Sequence, residues 1–361
     1  MSTEPDSAAP RGPQEFEKRL PQGEAPAQFV PEATSGLKRV QHLLHAHPTA
    51  IPGIVLLVSL VFFSFVVGER FLHPFNFSLI VQQVMIIGIV GVAQTLVILT
   101  AGIDLSVGAI MVLSSMVMGR LAVEAGLPAP LAIGVGIGVG ALCGGLNGLL
   151  VTRFRLPPFI VTLGTWNIFF ALNLWYSASE TIRAQDIETN APLLLFFGQA
   201  VEVAGARLTY GSVFMLGLVA LFWFVLNHTA WGRHVHAVGD DTDSARLAGI
   251  NTDRILITVY IVAGIICALA AWALIGRIGS ASPQAGQTAN LDAITAVVIG
   301  GTSLFGGRGS IVGTLLGALI VGVFRNGLAL SGVNVLWQEF AVGVLIIVAV
   351  AIDQWLRRTA R

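Results

Sequence analysis

The sequence predicts an all-α polytopic membrane protein of about ten transmembrane helices packed through glycine, and three observations carry that prediction. Of 361 residues, 55% are hydrophobic and 11% charged, against about 25% charged in an ordinary soluble domain. Charged side chains vanish over 71–103, 125–152, 156–179, 208–232 and 255–276. About 20 apolar residues carry a helix across roughly 30 Å of hydrocarbon, so each of these intervals can hold a crossing. The third observation is a count of 41 glycines, many inside the apolar runs. Helix rather than barrel is expected, because backbone groups in lipid must pair within their own segment and no alternating strand pattern is present.

The elements follow in chain order. Residues 1–48 hold seven of the fifteen prolines and eleven charged side chains, a composition that cannot bury enough surface to fold and reads as a disordered cytoplasmic tail. The first apolar stretch begins only near Ile51, past the first 15 to 30 residues that a cleavable signal peptide occupies. A membrane domain follows over 49–356, with crossings expected at 51–68, 79–100, 104–122, 128–150, 158–177, 209–227, 255–275, 291–304, 310–328 and 335–353. Ten crossings return a short C-terminal tail, 357–361, to the starting side. With both termini cytoplasmic, fourteen of the 20 Lys and Arg residues fall on the inner side and six outside, as the positive-inside rule requires. The segment 291–304 is short and flanked by glycine, so a re-entrant form and an eight-crossing arrangement are the alternative.

Glycines cluster in 134–148 (GVGIGVGALCGGLNG) and 313–322 (GTLLGALIVG). In lipid no hydrophobic effect drives helix against helix, and small residues every three or four positions allow close approach. Tight packing is one reading of these glycines and a flexible gate the other.

Asp104, in AGIDLSVGA (101–109), is the outstanding ionisable site within the apolar part. A carboxylate at membrane depth costs about 2.5–3.5 kcal/mol unless it faces protein or water. It reads either as a cap on the helix that begins beside it or as a residue of the translocation pathway. Gln82, Gln83, Gln94, Asn147, Thr165, Asn167, Asn173 and Gln338 are the other polar residues in the spans. Amides suit hydroxyl-rich neutral solutes, since each donates and accepts without a counter-charge. Gln83, Gln94, Asp104, Asn147, Trp166, Asn167 and Asn173 are therefore the pathway candidates, each also readable as an interhelical contact.

Several classes are excluded. Twenty basic and 20 acidic residues cancel, leaving no basic field for nucleic acid. Cys143 and Cys267 lie in apolar runs and read as buried small hydrophobes, with no disulfide or metal spacing. No cofactor is implied, no catalytic residue is assigned, and neither G-x-S-x-G nor H-E-x-x-H occurs. The longest internal hydrophilic connection, 228–254, is too long for a turn: Asp243 or Ser244 can cap a short helix through Ala245, Arg246, Leu247 and Ala248, ended by Gly249. It reads as a docking element or as a solvated loop.

The stretches 93–115 (AQTLVILTAGIDLSVGAIMVLSS), 147–165 (NGLLVTRFRLPPFIVTLGT), 232–250 (GRHVHAVGDDTDSARLAGI) and 291–322 (LDAITAVVIGGTSLFGGRGSIVGTLLGALIVG) together resemble the permease subunit of bacterial sugar ABC importers of the ribose, xylose and fructose group. The fructose type is the most similar, on 162–188, 282–298 and 326–343. The resemblance implies a homodimer in the cell inner membrane, driven by a cytoplasmic ABC ATPase that hydrolyses ATP and supplied with a monosaccharide by a periplasmic sugar-binding protein. It implies that Gly239, Asp240, Asp241, Ala245, Arg246, Leu247, Gly249 and Ile250 form the coupling element on the ATPase. The outer loop 178–208 then becomes the candidate surface for the binding protein. The chain itself has no G-x-x-x-x-G-K-[ST] phosphate loop, so nucleotide chemistry belongs to the partner. An ion-coupled secondary transporter is the rival reading, kept open by Asp104 beside Gly102.

Overall fold

The computed structural model describes residues 49–358; the expected tail 1–48 and residues 359–361 of the C-terminal tail lie outside them. Among the described residues seven helices are long and apolar enough to cross a membrane, and three shorter apolar ones complete ten. They are α1 (Ala50–Val67), α3 (Pro74–Leu99, after the single turn α2, Glu69–Leu72), α4 (Val107–Val123), α5 (Ala129–Arg153), α6 (Pro158–Ser177), α8 (Tyr210–His228), α11 (Thr252–Ile278), α12 (Ala289–Ile299), α13 (Ile311–Leu330) and α14 (Val335–Arg358). Each of the ten expected crossings has its helix. Local chemistry sets the ends: proline stands at or beside the starts of α3, α5 and α6, where a missing N–H costs nothing, and Gly279 ends α11 at φ +78°.

The helices differ sharply in what surrounds them. In α1 17% of the apolar window is buried, in α3 83%. So α1 gives most of its surface outward, whereas α3 is the core element, packed against α8, α11, α12 and α13.

Glycine makes a close seam between α5 and α11. Gly140, Gly144 and Gly148 recur at i, i+4, i+8 on one face of α5. A Cβ on Gly140 would stand 2.4 Å from the Gly264 carbonyl oxygen, one on Gly144 2.1 Å from that of Tyr260, and one on Gly148 3.0 Å from the Ile257 Cα. These helices touch backbone to backbone. Gly134 and Gly138, in the same run, have nothing within 4 Å and belong to another face.

The 178–208 connection is folded. It carries α7 (Ala184–Asn190), a 3-10 turn (Pro192–Gly198) and a hairpin of β1 (Ala200–Val203) with β2 (Ala206–Thr209), so the chain is not purely helical. Ala204 and Gly205 turn the hairpin with φ of 50° and 81°, the positive values a two-residue turn needs. The Gln82 amide donates to the Arg207 carbonyl (2.8 Å), and the Arg207 N–H to Ser78 Oγ (3.1 Å), fastening the hairpin to the start of α3. Ile182 bridges Ala281 at the same end of the molecule.

From that end the chain after α11 runs to the opposite one, where the Gly307 N–H donates to the carbonyl of Leu99, the last residue of α3, at 3.0 Å. The 279–310 segment thus traverses the molecule. Its helix α12 has 11 residues, about 16 Å of rise, and non-helical chain supplies the remainder, which is why the sequence showed a short, glycine-flanked segment.

Candidate functional site

At the hairpin end a cavity of about 390 Å³ opens among α3, α12, α13 and α14. Gln83 enters it from α3, Arg277 from the end of α11, Thr288 and Asp292 from the start of α12, Arg325 and Asn326 from α13, and Gln338 from α14. Arg325 is the organising group: one terminal nitrogen lies 3.0 Å from Asp292 Oδ1 and 3.2 Å from Glu339 Oε2, tying three helices together. Thr288 Oγ1 donates to Asp292 at 3.3 Å, and the Arg277 guanidinium to the Gln83 carbonyl at 3.4 Å. Of these groups only Gln83 is among the seven pathway candidates. Asp292 and Arg325 were legible as charges inside two apolar segments; a charge in such a place demands a partner, and each is the other's.

Asp104 lies elsewhere, in the non-helical link between α3 and α4. Its Oδ1 accepts from the Ser106 N–H at 2.7 Å and the Ser106 hydroxyl at 2.6 Å, and Ser106 Oγ accepts from the Asn147 amide at 2.8 Å. Thr162 donates to the Ile103 carbonyl (2.9 Å) and Asn290 to that of Leu105 (3.2 Å). Three helices thereby brace the link, and two of them, α6 and α12, supply hydrogen bonds that its non-helical backbone needs away from water. The helix expected from residue 104 begins at Val107, with Asp104 holding its N-cap residue, Ser106. Among the described residues Asn147 Oδ1 and the Tyr260 hydroxyl remain buried without partners.

The other candidates are dispersed. Gln94 is buried inside α3 with both amide atoms unpaired among the described residues. Asn173 donates to the Pro283 carbonyl at 2.9 Å and fixes the loop before α12. Trp166 is half-buried and stacks on Phe170 (6.0 Å), while Asn167 is exposed and donates back to the Leu163 carbonyl at 3.0 Å. None of these lines the cavity.

The 228–254 connection holds two helices, α9 (Ala230–Asp240) and α10 (Thr242–Leu247), where one was expected. The cap is Asp241, not Asp243 or Ser244: Asp241 is extended (φ −154°, ψ 108°), and its Oδ1 accepts from the N–H groups of Asp243 and Ser244, each at 2.9 Å. The Ser244 N–H is the main reason the Asp241 carboxyl lies below the usual carboxylate range. Gly249 ends the helix at φ +85°, with its N–H on the Arg246 carbonyl. Asp240, Asp241, Arg246, Leu247 and Gly249 are exposed, Leu247 to 90%. Gly239 and Ala245 are buried and Ile250 is half-buried. Gly239 seats this element on the membrane helices, since a Cβ there would stand 1.7 Å from the Leu99 carbonyl oxygen and 2.7 Å from the Gly307 nitrogen.

A bundle of ten apolar helices, with a charge-paired cavity at one end and a capped polar element seated on core-helix backbone at the other, defines a multi-span membrane transport protein. The chain belongs to the family described as branched-chain amino acid transport system / permease component, whose model matches residues 76–350. It is 59% identical over 348 residues to the fructose import permease protein FrcC of Rhizobium meliloti, covering 96% of this chain and 97% of that one. It is 40% identical over 302 residues to the ribose import permease protein RbsC of Bacillus subtilis (strain 168), covering 84% and 91%. To the D-allose transport system permease protein AlsC of Escherichia coli (strain K12) it is 34% identical over 304 residues, again 84% and 91%. No solved structure matches the chain.

Proposed function

We propose that this chain is the permease subunit of an ATP-driven, binding-protein-dependent sugar importer, translocating a monosaccharide, fructose, across the bacterial inner membrane by alternating access. The observation that carries the reading is the 59% identity to a fructose import permease, sustained over 96% of this chain. Two copies form the channel, a cytoplasmic ABC ATPase supplies the work, and a periplasmic binding protein delivers the sugar to the hairpin end. The positive-inside balance supports this orientation.

The coupling element has the form a mechanical contact needs. Its exposed tip of Asp240, Asp241, Arg246, Leu247 and Gly249 meets the ATPase, and its buried Gly239 bears directly on the end of α3. Closure of the ATPases then moves a capped, rigid lever rather than a slack loop. Gln83 faces the solute in this reading. Asp104 and Asn147, joined through Ser106, brace the α3–α4 link and carry no coupling ion.

Uptake of labelled fructose into sealed vesicles tests the proposal, with and without the ATPase and binding protein, under imposed ATP or ion gradients. Uptake that needs ATP and both partners is the expected result. Uptake by this chain alone on an ion gradient would overturn it. Because the family description names branched-chain amino acids, leucine serves as competitor, and displacement of fructose by leucine would count against the sugar assignment.

A further inference from the structure

The geometry points to the cavity at the hairpin end as a binding site for one uncharged, polyhydroxylated solute, the sugar in passage, recognised by Gln83, Thr288 and the Arg325–Asn326 end of α13. This inference rests on the sugar-permease reading above and adds the residues that hold the sugar.

Size comes first: about 390 Å³ lies within the roughly 300–1,000 Å³ of small-molecule pockets. Charge comes second. Arg277 and Arg325 bring two positive charges, Asp292 and Glu339 two negative ones, and Arg325 already contacts both carboxylates. The corner is neutral in sum, so it offers no field that selects an ion. Arg277 meets no carboxylate among the described residues and presents its donors.

The hydrogen-bonding inventory is the third argument. Gln83 and Thr288 are exposed at the cavity wall, and the Gln83 amide makes no hydrogen bond among the described residues. On two further lining residues polar atoms are buried with no partner among the described residues: Asn326 Oδ1, an acceptor, and Arg325 Nε, a donor. The Asn326 nitrogen is already committed to Asn76 Oδ1 at 2.9 Å. Buried polar atoms are paired as a rule, and an unpaired acceptor and donor on adjacent residues beside a cavity require an explanation. A sugar hydroxyl donates and accepts at once, so a small inward shift of the α13 end around a bound sugar satisfies both. Ile87, half-buried in the cavity lining, gives apolar wall for a C–H face of the ring.

The test uses the complete importer in vesicles. Both native cysteines, Cys143 and Cys267, are buried, so Gln83→Cys and Thr288→Cys can be followed one at a time with a membrane-impermeant thiol reagent. Gln185→Cys on α7, exposed and outside the cavity, is the control. Fructose should slow modification at Gln83→Cys and Thr288→Cys and leave Gln185→Cys unchanged. Gln83→Leu should lower fructose import up to about tenfold, the loss of one hydrogen bond, while ATP hydrolysis continues. Wild-type rates of import in Gln83→Leu, together with no protection at either cysteine, would overturn the assignment. Protection by a sugar phosphate but not by fructose would overturn the uncharged class. Failure of the wild-type importer to move any sugar would sink the underlying reading, and it would be seen before any variant is made.

Discussion

Two helix contacts in this protein are built from opposite materials. The α5–α11 seam brings backbones together through Gly140, Gly144 and Gly148, with no side chain between. The cavity-end corner of α12, α13 and α14 is joined instead by the side chains of Arg325, Asp292 and Glu339, with a cavity beside them, while farther along the same pair α12 and α13 close on backbone through Gly300, Gly313 and Gly317. A backbone seam has one fitted arrangement, because moving either helix by an ångström makes a clash or a void. A corner joined by long side chains can re-form its bonds after a displacement. The contrast assigns rigidity to the seam and adjustment to the corner.

The sharpest way to break that contrast is Gly144→Leu. Its Cβ would fall 2.1 Å from the Tyr260 carbonyl oxygen, so the helices must part, at a cost of about 1–3 kcal/mol or more for overpacking. The detergent-solubilised protein should melt far earlier than wild type or fail to accumulate. On the corner, Arg325→Ala leaves Asp292, whose side chain is 18% exposed, without its cation. The loss should be about 1–3 kcal/mol, and Arg325→Met with Asp292→Leu should recover part of it, as a double-mutant cycle on thermal unfolding would show.

Gly239→Ala divides the two kinds of contact differently, since Gly239 joins the lever to α3. The added carbon would meet the Leu99 carbonyl oxygen and the Gly307 nitrogen, so the melting point should fall, and in the protein that inserts, sugar moved per ATP hydrolysed should fall severalfold. Normal coupling in that variant would remove Gly239 from the transmission. Smaller still is Asp104→Asn: an amide oxygen can accept both Ser106 bonds, so stability and uptake should stay within about 1 kcal/mol and threefold of wild type. Complete loss of uptake with normal folding would instead make the charge itself functional. Gly138→Ala, with nothing within 4 Å of the added carbon, should change the melting point least.

Five of the ten helices, α3, α5, α6, α8 and α11, were legible because charge gaps mark them and the others from their apolar runs, and the glycine packing because its spacing matches the helical period. The carboxylate cap on α10 was legible in kind but misplaced. Asp241, Asp243 and Ser244 all have cap chemistry, and only the backbone break at Asp241 selects among them. The hairpin in 178–208 was missed, its strands being four residues each and its turn Ala-Gly rather than Asn-Gly. The cavity was the larger miss. Its residues come from α3, α11, α12, α13 and α14, and nothing in their spacing announces that Gln83 and Arg325 line one cavity.

The burial of α3 bears on how the chain is made. Its lids, α8, α11, α12 and α13, all follow it in sequence, and Thr95 of α3 shares a 2.6 Å hydrogen bond with Thr314, 219 residues later. During synthesis α3 therefore leaves the ribosome long before its neighbours exist, with Gln94 and Thr95 open to lipid or held at the insertion machinery. A nascent chain stopped before α11 should keep α3 accessible to lipid-phase crosslinkers, and one that includes α13 should not. The order of manufacture runs against the order of enclosure, and the centre of this transporter is assembled by waiting.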